Sequence, residues 1–295
     1  MRPTLALLSL VLWLPAVAHA TPAREAITFE AELKSAPYPV ASLPNVAIHV
    51  PAGFDTAGPV HLVVFLHGLR GCLPVLMGRG ESRCEGSGSQ PQLGWDLGKH
   101  HDAASTQSIF VVPRLHYEKR GGQPGAFGKA GGFRAFLDEL LAGPLTKRLG
   151  RSLSRADVAS ISLVAHSAGY ETALAILEHG ELGSLVRAVV LLDALYAFHE
   201  RYARYVLEHA DRGLRLVVIH LRGGKPAREG ARLERRLAHA LGRERIAIAR
   251  ASELRETVAA SPIVFADGDG PHGRLPQRHM AEVLASIGLP PRGAR

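Results

Sequence analysis

Ser167, Asp193 and His272 occur in that order along a chain of 295 residues, and together they could carry nucleophilic catalysis. A serine hydroxyl attacks an ester or amide carbonyl only when a base takes its proton, an acid orients that base, and hydrogen-bond donors hold the oxyanion. Ser167 lies in Ala165-His166-Ser167-Ala168-Gly169, between an apolar run (Ile161, Leu163, Val164) and a helical stretch from Glu171 to Glu178. That context predicts a strand-to-helix turn that lifts the hydroxyl above a sheet edge. Strand and helix backbones approach closely in such a turn, so small residues are required two positions either side, and Ala165 and Gly169 meet the need. Taken alone, the five residues also fit a serine-containing turn that merely starts a helix.

The elements that would position the other groups are short apolar runs. Ala188 to Leu192 reads as a buried strand ending at Asp193, at the carboxyl edge where parallel sheets gather their chemistry. An N-cap for the helical stretch Phe198 to Val206 is the competing use of this aspartate. Pro262 to Phe265 reads as the last strand, and the loop Ala266 to Pro271 presents His272. Asp267 and Asp269 in that loop read as turn formers. His279 stands beside the apolar face of a closing helix, about Pro276 to Ile287, and reads as a packing or surface histidine. His61 to Leu66 is a continuous apolar run, a strand covered on both faces, that stops at His67-Gly68. A glycine there lets backbone N–H groups turn toward a developing oxyanion, although a simple strand-end turn fits equally.

The pentapeptide Ala165 to Gly169 is similar to the nucleophile elbow of the α/β-hydrolase superfamily, whose usual form is Gly-x-Ser-x-Gly. Alanine at the first position also occurs in some bacterial lipases of that superfamily. The resemblance runs from the His67-Gly68 strand to the final helix. It implies an α/β fold with a mostly parallel central sheet of about eight strands and helices on both faces. It also implies Ser167, Asp193 and His272 as the catalytic residues, and oxyanion donors from Ala168 and from Leu69 or Arg70. His67, Gly68, Ala165, His166 and Gly169 would support them. Many members carry the acid one strand later, but here Leu214 to Leu221 runs into Arg222-Gly223-Gly224-Lys225-Pro226 without a carboxylate, which favours Asp193. The implied activity is hydrolysis of an ester or related acyl bond in a small-molecule or acylated substrate, through an acyl-enzyme and without a cofactor. A peptidase or amidase is the alternative within the superfamily. A hydrolase scaffold kept for binding or envelope association is the alternative outside enzymes. The segment after Asp193 is too short for a large cap, so any lid falls to the Leu69 to Ser108 segment. Trp95, Tyr196 and Phe198 are candidate wall residues.

Met1-Arg2, an apolar stretch from Leu5 to Ala18, and Ala18-His19-Ala20 form a leader with a small-x-small cleavage site. It predicts a signal peptide over 1–20, a single domain over 21–295, and a secreted or periplasmic location, with an N-terminal anchor as the alternative. Its removal takes one arginine and no acid, which lowers the net charge from +8 to +7. The arginines from Arg228 to Arg255 are interspersed with acids and lack aromatic neighbours, which argues against a nucleic-acid binder and leaves weak attraction to acidic envelope surfaces. Cys72 and Cys84 are the two cysteines, and an oxidising compartment would join them as a local disulfide. Neither has the partners of a zinc site, and His100-His101-Asp102 point in different directions on a helix, so no metal is expected.

Overall fold

Each apolar or alternating run read as a strand is a strand in the computed structural model, which describes residues 25–38, 44–84, 90–116 and 123–293. The leader lies outside the described residues. Strands β1 (Ile27–Ala31), β2 (Val46–Val50), β3 (Val60–Leu66), β6 (Ile109–Pro113), β7 (Val158–His166), β8 (Val186–Leu192), β9 (Arg215–His220), β10 (Ile246–Ala249) and β11 (Ile263–Asp267) form one nine-stranded sheet. Its order is β1-β2-β6-β3-β7-β8-β9-β11-β10. The strands from β6 through β10 in that order are parallel, and β2 and β1 add an antiparallel edge. β10 was not expected, because Ile-Ala-Ile-Ala is short and framed by arginines.

Both faces of the sheet are covered, for a reason visible within β3. Leu62, Val64 and Leu66 pack into one core with α3 (Gly132–Leu140), α5 (Tyr170–His179), α6 (His199–His209) and α7 (Lys225–Leu241). Val63 and Phe65 point the other way, into a second core with α1 (Leu73–Met77), α2 (Leu97–Ala103), α8 (Leu254–Ala260) and α9 (Leu275–Leu284). A strand with apolar residues at every position is what this two-sided burial requires, and each fully buried leucine or phenylalanine contributes about 1.5–3 kcal/mol. A short helix, α4 (Thr146–Leu149), follows α3.

The Leu69 to Ser108 segment carries α2, the short helix expected around His100 to Asp102, and also α1 and the two-residue strands β4 (Glu81–Ser82) and β5 (Gln92–Leu93). Cys72 and Cys84 are bonded within it. The Trp95 N–H donates to the Val75 carbonyl and the Asp96 N–H to that of Gly78, so backbone bonds fold the segment onto itself. No helix among the described residues is long and apolar enough to cross a membrane.

Candidate active site

Ser167 sits where β7 turns into α5, with φ +54°, a left-handed backbone that costs a residue with a Cβ about 1–2 kcal/mol. Close packing enforces this turn. A Cβ on Gly169 would meet the Leu66 carbonyl oxygen at 2.1 Å, and one on Gly68 would meet the Ser167 Cβ at 2.5 Å and its Oγ at 2.9 Å. The loop after β3 therefore lies directly against the serine, and glycine is the residue that permits it. A Cβ on Gly68 would also stand 3.1 Å from the Ala168 nitrogen, so the two expected sources of oxyanion donors converge beside one hydroxyl. Leu69 is about half exposed there, and Arg70 also takes a left-handed φ of +64°.

His67 holds that loop in shape. Its Nδ1–H donates to the Gly68 carbonyl at 2.9 Å while its Nε2 accepts the Leu115 N–H at 2.9 Å, which fixes one neutral tautomer. Burial holds its pKa down at about 4. Leu115 was not among the expected site residues; its part depends on β6 lying next to β3, a pairing invisible in local sequence.

Asp193, with φ +46°, turns sharply at the end of β8 and is buried. It does not cap α6, whose N-cap is Phe198. One carboxylate oxygen accepts the His272 Nδ1–H at 2.6 Å, and the other accepts the Leu221 N–H at 3.1 Å. The other acids near His272 are engaged elsewhere: Asp267 pairs with Arg222 and His220, and Asp269 with Arg278 and His279. His279 is buried between Asp269 and Glu282, a packing role.

Two aromatic residues join the serine turn to the histidine loop. His166, beside the serine, donates from Nε2 to the His272 carbonyl at 3.0 Å, and the two rings lie 4.7 Å apart. Burial, then the adjacent His272, holds the His166 pKa at about 3, so this ring stays neutral and keeps its donor. Tyr196 hydrogen bonds the Ser167 side chain and sets its ring edge-on to that of His272, 6.5 Å between centroids. Burial and then the Asp193 charge raise its pKa, while the serine bond opposes them. Trp95 packs against His166 at 5.4 Å, bringing the disulfide-bearing segment to the site. Phe198 stands further out, against Tyr170. A cavity of about 440 Å³ opens beside Tyr196, lined also by Phe198, His199, Lys225 and Glu229.

No protein-family model matches the chain, and no curated protein matches its sequence. Solved structures do. A mutant of the feruloyl esterase module from Clostridium thermocellum, complexed with sinapinate, superposes with a TM-score of 0.54 at 11% identity, over 96% of each chain. A structure of a protein designated FAE superposes with a TM-score of 0.55 at 10% identity, over 97% of each. With the sheet order, the two covered faces and the strand-to-helix turn at Ser167, these likenesses establish that the chain has the α/β-hydrolase fold.

Proposed function

We propose that the chain is an exported serine hydrolase that cleaves an ester or related acyl bond. The observation that carries the reading is the 2.6 Å bond from His272 to the buried Asp193, beside a serine held in a strained left-handed turn. Asp193 keeps the imidazole proton on Nδ1, so Nε2 carries the lone pair that takes the Ser167 proton as Oγ attacks the carbonyl carbon. The carbonyl π electrons move to oxygen, and the N–H groups of Ala168 and of Leu69 or Arg70 receive that charge. Collapse expels the alcohol, which leaves with the proton from Nε2, and the acyl group remains on Oγ. Water then attacks the acyl-enzyme by the same route and releases the acid and free serine.

The Cys72–Cys84 bond is compatible with export, because such bonds persist in oxidising compartments. Covalent labelling tests the reading. A fluorophosphonate should modify the protein stoichiometrically, Ser167→Ala should abolish the adduct, and His272→Ala should slow it strongly. Folded protein that takes no label would reduce the scaffold to a binding role. Comparing short-chain esters with peptide amides separates the esterase from a peptidase.

A further inference from the structure

A second group of histidines lies away from the serine, where β2 meets α2. His49 pairs in register with Phe110, which aligns through β3 with Ser162, so it stands three strands over and five residues back from Ser167. At about 4.8 Å per strand and 3.3 Å per residue, the separation is roughly 20 Å. His101 and Asp102 come from α2, on the face that packs against β2 and β6. One potential ligand atom from each of His49, His101 and Asp102 lies within 4.8 Å of the other two.

Two independent features give this cluster the form of a cation site. First, each imidazole spends its outer nitrogen on a hydroxyl. His49 Nδ1 bonds Thr28 Oγ1 at 2.8 Å, and His101 Nε2 bonds Ser108 Oγ at 2.9 Å, with Ser108 continuing to Thr106 at 2.8 Å. Bonds of this kind orient metal-binding histidines and fix their tautomers. Second, the remaining nitrogens, His49 Nε2 and His101 Nδ1, are buried without a hydrogen-bond partner, in residues no more than 4% exposed. His49 Nε2 comes within 3.2 Å of Asp102 Oδ1, but without hydrogen-bond alignment. Leaving buried nitrogens unpaired is costly, and a shared cation would satisfy both.

We propose that His49, His101 and Asp102 bind a divalent first-row transition ion, zinc above all, at a structural site separate from the hydrolase centre. Two imidazoles and one carboxylate suit such ions, with water completing the shell. The ring centroids, 5.7 Å apart at 88°, stand close to the roughly 5 Å that two nitrogens on one tetrahedral ion impose. Asp102, a third exposed at its side chain, supplies the remaining closure and faces the entry path. Its present cation is Arg292, whose guanidinium reaches Oδ1 at 3.2 Å and the Asp102 carbonyl at 3.0 Å. The ion would therefore tie β2 to α2, with Arg292 of the C-terminal segment as its competitor for the carboxylate.

The test is a titration of the full chain, stripped with a chelator, with Co²⁺ and then Zn²⁺. The expected result is one equivalent of Co²⁺ with visible ligand-field absorption, displaced by Zn²⁺, and a higher Tm with either ion. Asp102→Ala, which removes a ligand outright, should weaken binding by more than the roughly 10–100-fold that loss of a ligand's hydrogen-bond partner costs. His101→Ala should abolish the spectrum, and because that residue is buried, the variants at the only partly buried Asp102 and Arg292 keep the test decisive if it misfolds. Arg292→Gln should tighten binding severalfold by removing the competing charge. Ester turnover should not follow metal loading across roughly 20 Å. No stoichiometric Co²⁺ spectrum, or one unchanged by Asp102→Ala and His101→Ala, overturns the site; turnover that follows loading overturns its separateness.

Discussion

Asparagine at position 193 perturbs the acid where it is held most tightly. One carboxylate oxygen takes the His272 Nδ1–H at 2.6 Å and the other the Leu221 N–H at 3.1 Å, in a residue 5% exposed. An amide offers one accepting end and one donating end, so it cannot serve both partners unchanged. With its oxygen on Leu221, the NH₂ faces Nδ1, which must surrender its proton; that proton moves to Nε2, the nitrogen needed for Ser167. With the amide turned over, NH₂ meets the Leu221 N–H and leaves a buried donor unpaired, at about 1–3 kcal/mol. The first orientation wins, and it installs the wrong tautomer. The same exchange in serine proteases costs about 10⁴-fold in kcat, equivalent to about 5.4 kcal/mol of barrier. The assay is turnover of a short p-nitrophenyl ester near neutral pH, with folding checked by circular dichroism. Asp267→Asn and Asp269→Asn are the controls, and should change turnover by less than about threefold because their carboxylates pair with other side chains. The assignment fails if Asp193→Asn keeps more than about a tenth of the activity, or if either control loses more than it does.

Two further outcomes follow from packing and burial. Gly68→Ala places a methyl 2.5 Å from the Ser167 Cβ, so the loop must retreat by about an ångström and kcat should fall by about 10²-fold; kcat equal to the parent's in a folded variant would refute the close approach. His67, His101 and His166 are buried with folded-state pKa values of about 4, 3 and 3, below their ordinary 6.5. The unfolded chain binds these protons first, so stability should decline as pH falls below about 6.5, with a limiting slope of about 4 kcal/mol per pH unit if all three contribute. Urea midpoints across the mildly acidic range measure it, and midpoints that do not move would show that the rings protonate within the folded state.

The central strands were legible because they are buried on both faces, which leaves an unbroken apolar signature in His61 to Leu66 or Ala188 to Leu192. Ser167 and Asp193 were legible because each ends such a run. What stayed hidden depends on contacts distant in sequence. Leu115 reaches His67 only because β6 lies beside β3, and Tyr196 bonds Ser167 only once β7 and β8 are neighbours. His101 and Asp102 read as surface residues on a short helix because their third partner, His49, lies more than fifty residues earlier on the antiparallel edge. The start of α6 at His199, capped by Phe198, removed the helix-cap alternative for Asp193, and no propensity scale predicts a left-handed backbone for an aspartate after a strand.

Among the described residues the outer strand β10 has no partner along one side, and Ile248 is more than half exposed. Such an edge invites another copy to extend the sheet. Its flanks answer the invitation. If two copies met strand to strand in opposite directions, centred on Ala247 and Ile248, Arg245 of each would face Arg250 of the other. Like charges set opposite one another on paired strands repel. The arginines that read along the chain as diffuse basicity would then act as a fence at this edge of the sheet.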